Sequence, residues 1–530
     1  MKRKSKLSKV LALCLAMVMV FAMSVPTLAV TSSDTGTITV NGLDAERQVS
    51  VSAYQIITVN VDDTSEQPSY PMYTWNSAVA AWLGNNNYSD LIDSSLGTNA
   101  VADAFDDMSA ADETTLLERL AAAIRSGAIT LTATQTQTTA AQGTDPETYA
   151  TSVTFSDVPM GEYILIASGG VKIYQPSSAQ IIPTESEGIW TVQNATVTMK
   201  SSTTPPFEKS VVGGDDTVAI GDTVTYQITT QVPDYPVNAA DLTFYINDLL
   251  GEGFDYSGNS TITVYHDAIG EENVVSSDNY TVTNPSGKTF QINFDEDFIL
   301  GNAATPIIVT YQAVVNANAF TEDALGNDAF LGYSNDPYGD STYETSTDHD
   351  VYTYGIQLDK VNADGTSLSG AQFTLADAEG SLLTFTKTST DGVYNYDPDS
   401  SNTTLEVSSS GSLQIQGLDV GTYTLTETKA PNNYVLPTGS ITITLTDTEP
   451  DGTLDNTSGA TATGTIKIRG NVTSSNNVIS LDVENTSSDD AGFTLPTTGG
   501  MGTMIFTILG VLLMAGAVTM VIVISRKKRA

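Results

Sequence analysis

Apolar and polar residues alternate with period two along most of the chain. Representative stretches are Thr37-Ile38-Thr39-Val40, Tyr423-Thr424-Leu425-Thr426 and Ile479-Ser480-Leu481-Asp482-Val483. Gly-, Asn- and Asp-rich turns separate these runs, which predicts all-β architecture in the form of tandem Ig-like β-sandwiches. One stretch keeps helical spacing instead. From Ser109 to Gly127, Leu116, Leu117, Leu120 and Ile124 fall on one face, with Ser109 placed as N-cap and Gly127 just past the end, so a small helical insertion is expected in the N-terminal domain. Two segments are apolar without alternation. Val10 to about Met23 follows Lys2, Arg3, Lys4, Lys6 and Lys9, and ends before Thr27-Leu28-Ala29, the pattern of a secretory signal peptide cleaved at Ala29. Met504 to Ile524 is long enough to span a bilayer as a helix, and Arg526-Lys527-Lys528-Arg529 would hold its end in the cytoplasm.

Punctuation divides the rest. A polar, Pro-rich stretch at Ser201-Ser202-Thr203-Thr204-Pro205-Pro206 and a strand start at Thr353-Tyr354 mark two boundaries. The expected order is signal peptide 1–29, N-terminal domain 30–200, middle domain 201–353, C-terminal domain 354–487, linker 488–494 and a C-terminal segment 495–530. The two ends hold nine of the 21 basic residues and none of the 62 acidic ones, leaving 12 basic residues against 62 acidic in between. That imbalance excludes nucleic acid as a partner and suits a solvated extracellular surface. Cys14 is the only cysteine and leaves with the signal peptide, so disulfides and thiol chemistry are excluded. No cofactor or metal is expected. Asn362-Ala363-Asp364-Gly365 lacks the later acid of a calcium loop and reads as a β-turn.

The C-terminal segment opens Leu495-Pro496-Thr497-Thr498-Gly499, ahead of the apolar run and the basic tail. This ordered set resembles the cell-wall sorting signal of Gram-positive surface proteins. The resemblance implies that a sortase cleaves between Thr498 and Gly499 and passes the Thr498 carbonyl to an amine, leaving the protein secreted and anchored to the cell-wall peptidoglycan.

Three side chains of opposing chemistry share one apolar face in the C-terminal domain. Lys360 is in phase with Ile356 and Leu358, Glu427 with Tyr423 and Leu425, and Asn485 with Ile479, Leu481 and Val483. Burial lowers the amine's pKa and raises the acid's, so a neutral Lys360 can attack the Asn485 carboxamide while Glu427 shuttles protons and ammonia departs. The product is a Lys-Asn isopeptide bond. Tyr423-x-Leu425-x-Glu427-Thr428-x-Ala430-Pro431-x-x-Tyr434 resembles the E-box of collagen-adhesin B-type, prealbumin-like domains, with Asn433 where that family usually has Gly.

In the middle domain Lys209 follows Phe207 in phase, Asp248 follows Leu242, Phe244 and Ile246, and Asn335 follows Ala329, Leu331 and Tyr333. Gly221-Asp222-Thr223-Val224-Thr225-Tyr226 and Tyr333-Ser334-Asn335-Asp336-Pro337 resemble the fimbrial isopeptide-forming domain of backbone pilins, a collagen-adhesin A-type sandwich. The resemblance implies that Lys209 bonds Asn335 with Asp248 as proton shuttle; Asn327, also in phase, is the rival acceptor. The N-terminal domain shares a corner with the C-terminal one, Gly161 and Tyr163 matching Gly421 and Tyr423. Gly42 and Ala167 stand there in place of Lys360 and Glu427, so no bond of this kind is expected.

Eight lysines remain in the mature chain. Trp190 followed by Val197-Thr198-Met199-Lys200 resembles the pilin motif of sortase-polymerised shaft subunits, with Thr198-Met199 in place of Tyr-Pro. By that resemblance Lys200 is the sortase acceptor amine, and the chain is a structural shaft subunit of a covalent pilus rather than an enzyme. The implied partners are a pilus-specific sortase, further copies of the chain joined head to tail, tip and basal pilins, peptidoglycan and a host ligand. The alternative is an ancillary pilin or monomeric wall-anchored adhesin, for which the region Trp75 to Gly143 is the candidate ligand-binding insertion. A wall-anchored enzyme has little support, with two histidines and no nucleophile motif.

Overall fold

Three pairs of β-sheets, each pair closing over residues of alternating phase, make up a computed structural model that describes residues 29–144, 147–236, 238–321 and 325–489. The signal peptide ahead of Ala29, the sorting motif Leu495–Gly499 and the apolar run 504–524 lie outside the described residues. Among the described residues no helix is long and apolar enough to cross a membrane.

In the N-terminal sandwich, Thr35–Asn41 lies between Ser152–Pro159 and Ala195–Thr198, the last running parallel to it. The facing sheet runs Gln67–Trp75, Val49–Asp62, Gly161–Gly169, Ser177–Ile181. Strand Gly161–Gly169 is buried on both faces because two cores meet across it. Tyr163, Leu165 and Ala167 point into the sandwich, while Ile164 and Ile166 point at a second cluster built by the helical insertion. The main helix of that insertion is Ala110–Arg125, capped by the Ser109 hydroxyl on the Asp112 N–H, with Leu116, Leu117, Leu120 and Ile124 buried and Gly127 in the left-handed region as expected. A shorter helix, Ser77–Asn85, capped by Asn76, adds Val79 and Leu83 to the same cluster.

The middle sandwich sets Glu208–Val211, Thr223–Gln231 and Pro306–Val315 against a sheet containing Phe290–Phe294, Phe244–Leu250, Asn327–Ser334 and Thr342–Asp348. Aromatic rings fill the space between the sheets: Phe290 meets Tyr311 edge to face at 4.8 Å, and Tyr311 stacks on Tyr226 at 5.6 Å. The C-terminal sandwich places Tyr354–Val361 between Ser412–Leu418 and Val478–Glu484, again with first and last strands parallel. Its other sheet centres on Gln372–Ala376, Gly421–Lys429 and Ile441–Leu445. The inner faces of both sheets form one core, from Ile356, Leu358 and Ile479 to Phe373, Leu425 and Ile443.

By compactness the chain divides into two units. The first joins the N-terminal and middle sandwiches. The second holds the C-terminal sandwich together with Asp216–Asp222 and the stretch that begins at Val315. The Pro-rich stretch at the first expected boundary is partly fastened to the N-terminal sandwich: Ser201 bridges Tyr174, and the Ser202 N–H donates to the Ile173 carbonyl.

Candidate functional site

Period two aims every second side chain of Tyr354–Val361 into the core, and at Lys360 that side chain is an amine with no solvent exposure. Its Nζ donates to the Val483 carbonyl at 2.8 Å, one strand over. Glu427 and Asn485 are also buried, and Asn485 Nδ2 donates to Glu427 Oε1 at 2.8 Å. Lys360 and Asn485 belong to neighbouring segments of one sheet, with the Asn485 N–H on the Val361 carbonyl, while Glu427 reaches them from the facing sheet. Burial pushes the Lys360 ammonium down to about 8, against the opposing pull of Glu427 and Glu484. Burial likewise raises the Glu427 carboxyl, opposed by Lys360 and the bond from Asn485. Glu427 Oε2 and Asn485 Oδ1 have no hydrogen-bond partner. Such orphans are uncommon and destabilising in a folded core, and these two belong to the shuttle and the electrophile of the expected reaction.

The middle sandwich builds a second cluster with the roles redistributed between sheets. Lys209 is buried on Glu208–Val211 in one sheet; Asp248 and Asn327 sit on adjacent strands of the other, where Leu250 is the cross-strand neighbour of Asn327. Lys209 Nζ lies 2.5 Å from both Asp248 Oδ2 and Asn327 Oδ1. It also lies over the rings of Tyr226 and Tyr311, at 5.3 and 5.6 Å from their centroids. Burial is the dominant influence on both partners, lowering the Lys209 ammonium and raising the Asp248 carboxyl. Tyr311, fully buried, donates its hydroxyl to Asp248 Oδ2 at 2.6 Å and accepts from Asn327 Nδ2 at 2.8 Å. Sequence reasoning missed Tyr311, which on its strand is one inward aromatic among several.

Asn335 is not in this cluster, and the expectation that it accepts Lys209 is corrected here. Asp248 pairs with Ala329 near one end of Asn327–Ser334, whereas Asn335 follows the other end, roughly 25 Å along the strand from Asn327. Its Nδ2 donates instead to the Gly170 carbonyl at 2.6 Å, beside the Tyr333 hydroxyl on the Val171 carbonyl and an ion pair between Arg125 and Asp336. These contacts fasten the middle sandwich to the N-terminal one. The rival, Asn327, is the carboxamide that meets Lys209.

The N-terminal sandwich reproduces the framework of the C-terminal one without the chemistry. Ile38 stands opposite Phe155 and Ala195 as Ile356 stands opposite Ile415 and Ile479. Continuing those registers in step brings Gly42 to the place of Lys360 and Ser201 to that of Asn485, while Ala167 opposite Val51 matches Glu427 opposite Phe373. Both corner tyrosines donate to the carbonyl four residues back, Tyr163 to Pro159 at 2.8 Å and Tyr423 to Asp419 at 2.7 Å.

Lys200 is exposed just beyond strand Ala195–Thr198. Its carbonyl accepts from the Gln175 N–H at 2.9 Å, which fastens the backbone while the side chain is exposed. Glu113, buried on the first turn of Ala110–Arg125, feels its charge: burial raises that carboxyl, and Lys200 acts in the opposite direction. The Asn362 segment is a turn, its side chain accepting from the Asp364 and Thr366 N–H groups and Gly365 adopting a positive φ.

Residues 355–459 match the SpaA family, described as a prealbumin-like fold domain, and residues 487–530 match the LPXTG cell wall anchor motif. Among curated proteins the chain is similar to the trypsin-resistant surface T6 protein of Streptococcus pyogenes serotype M6, 26% identical over 400 residues that cover 62% of this chain and 70% of the relative. Among solved structures it resembles the T6 backbone pilin of serotype M6 S. pyogenes, at 17% identity and a TM-score of 0.57, over 87% of this chain and all of that one. The full-length major pilin SpaD from Corynebacterium diphtheriae aligns at 16% identity and a TM-score of 0.48, over 87% of this chain and all of that one.

Proposed function

We propose that this wall-anchored chain is the shaft subunit of a pilus polymerised by a sortase, with two of its sandwiches closed by autocatalytic Lys-Asn isopeptide bonds. The observation that carries the reading is the pair of buried amine–acid–carboxamide clusters in a chain that ends in a cell wall anchor motif. Leaving three such groups unreacted in an apolar core is unfavourable, and a neutral amide removes both charges and one polar group at a stroke.

The chemistry runs the same way at both sites. Burial favours the uncharged pair, an amine with a free lone pair beside a protonated acid. Lys360 Nζ attacks Asn485 Cγ while Glu427 passes its proton toward the departing nitrogen and takes one from the amine; ammonia leaves and the acid is regenerated. Lys209, Asn327 and Asp248 play the same parts in the middle sandwich. The middle bond would close a loop of 118 residues, for which the chain-entropy model gives about 5 kcal/mol of stabilisation, and the C-terminal loop is of similar length.

Polymerisation needs one donor and one acceptor. Thr498 supplies the acyl group after sortase cleavage, and Lys200, exposed on a backbone held by Gln175, supplies the amine to the next copy. A heterologous contact of this kind does not close on itself and yields a filament. Tip and basal pilins and peptidoglycan are the remaining partners of the assembly. Wall extracts run under denaturing conditions should show an SDS-resistant ladder. Lys200→Ala and Lys200→Arg should each collapse that ladder to a wall-anchored monomer, since a guanidinium stays protonated and cannot attack an acyl-enzyme. Ladders that persist in both variants would remove Lys200 from the acceptor role.

A further inference from the structure

The two clusters differ in how the acid reaches the leaving group. In the C-terminal sandwich the Glu427 carboxylate accepts directly from Asn485 Nδ2, the nitrogen that departs. In the middle sandwich the acid is one methylene shorter, and the leaving nitrogen, Asn327 Nδ2, bonds not to Asp248 but to the hydroxyl of Tyr311. That hydroxyl in turn donates to Asp248 Oδ2, the oxygen that also holds Lys209. Amine, acid, phenol and amide thus close a ring of four hydrogen bonds, completed by Lys209 Nζ on Asn327 Oδ1.

We propose that Tyr311 is a catalytic residue of the middle sandwich, the proton relay between Asp248 and the ammonia that leaves Asn327. The inference rests on the isopeptide reading of this site. Lys209 Nζ, uncharged, forms its bond to Asn327 Cγ, and the electron pair of the C=O moves to Oδ1. Protonated Asp248 donates to the Tyr311 oxygen while Tyr311 gives its own proton to Nδ2, and the carboxylate so formed takes the surplus proton of the amine. The C–Nδ2 bond breaks, Oδ1 regains its double bond, and ammonia departs with the hydroxyl and the protonated acid restored. Burial holds the phenol in its protonated form, so it begins the cycle able to donate. An Asp beside a Tyr hydroxyl spans the same gap that a Glu spans alone.

The test follows formation of the Lys209–Asn327 linked peptide, by proteolysis and mass spectrometry, at successive times after cell-free synthesis of the full chain. Tyr311→Phe keeps the buried ring and removes the relay. It should slow that link about a hundredfold or more and leave the Lys360–Asn485 link at its normal rate. Adding Asp248→Glu to Tyr311→Phe should restore the link by supplying the missing reach. A fluorinated tyrosine at position 311, which retains shape and hydrogen bonds but has a more acidic hydroxyl, should shift the pH profile of link formation even if the Phe variant fails to fold. A wild-type rate in Tyr311→Phe, or an unmoved pH profile with the fluorinated residue, overturns the relay and leaves the site reading intact. Absence of the linked peptide from the wild-type chain sinks the site reading, and the relay with it.

Discussion

The N-terminal and C-terminal sandwiches are built on one plan and finished in opposite ways. Both pair first and last strands in parallel, and both pin a corner with a buried tyrosine on the carbonyl four residues back. At the three positions where the C-terminal sandwich has Lys360, Glu427 and Asn485, the N-terminal one has Gly42, Ala167 and Ser201. The frame therefore does not require the polar trio. A core that can hold Ala at one of these places gains nothing from a buried carboxylate unless chemistry consumes the charge, which is why the trio is informative about function rather than about folding. The N-terminal sandwich keeps its own buried acid, Glu162, bonded by Gln180 at 3.2 Å on the side facing the helical insertion.

The largest expected effect comes from making the C-terminal sandwich resemble the N-terminal one. Glu427→Ala should leave Lys360 and Asn485 unlinked, retain one ammonia more than wild type once the mass of the substitution is allowed for, and lower stability by about 5 kcal/mol on the cross-link alone. A mass that differs from wild type by the substitution alone would show that another group moves the protons. The reverse exchange, Ala167→Glu, buries a carboxyl with no amine at Gly42 to meet it. Chemical denaturation should report a loss of about 3 kcal/mol, with no change in mass beyond the substitution; an ammonia lost here would break the comparison.

Next is a difference in pH response. Burial, followed by the charges of Glu113 and Asp106, raises Glu162 from 4.5 to about 8. Its folded pKa thus exceeds its unfolded one, so the native state binds the extra proton. The associated stability is fully present below about 4.5 and is lost as pH rises through about 8. Thermal melts should show the N-terminal sandwich weakening over that window by an amount on the order of 5 kcal/mol, and Glu162→Gln should flatten the dependence. A slope that survives Glu162→Gln assigns it to another group. The smallest effect tests what the two sandwiches share: Tyr163→Phe and Tyr423→Phe should each cost about 1 kcal/mol in denaturant titrations. A marked inequality between them would mean that the corners are not equivalent.

Much of this contrast was legible in the sequence because period two is a strong signal of which face a side chain occupies. It placed Lys360, Glu427 and Asn485 inward, and the helix capped by Ser109 was equally readable from its spacing. Phase says nothing of distance along a strand. Asn327 and Asn335 are both inward by phase, and only the pairing of Asp248 with Ala329 separates them. Tyr311 was hidden for a related reason, since an inward tyrosine is an ordinary core residue until its hydroxyl is seen between a carboxylate and a carboxamide. Glu162 interrupts an apolar strand, but its depth depends on a helical insertion that arrives from distant sequence.

The parallel pairing of Tyr354–Val361 with Val478–Glu484 has a mechanical consequence. The chain enters this sandwich at the start of one strand and leaves at the end of its parallel neighbour, so a pull on the two ends shears the ladder between them. Lys360 lies near the far end of the entering strand, and Asn485 lies immediately beyond the leaving one. With an amide joining them, load would travel up the entering strand, across the side-chain bridge and out of the domain. The hairpins, the facing sheet and every loop between Val361 and Glu484 would hang from that path without bearing it, and the domain would meet a tensile force as a short strut with almost no slack to release.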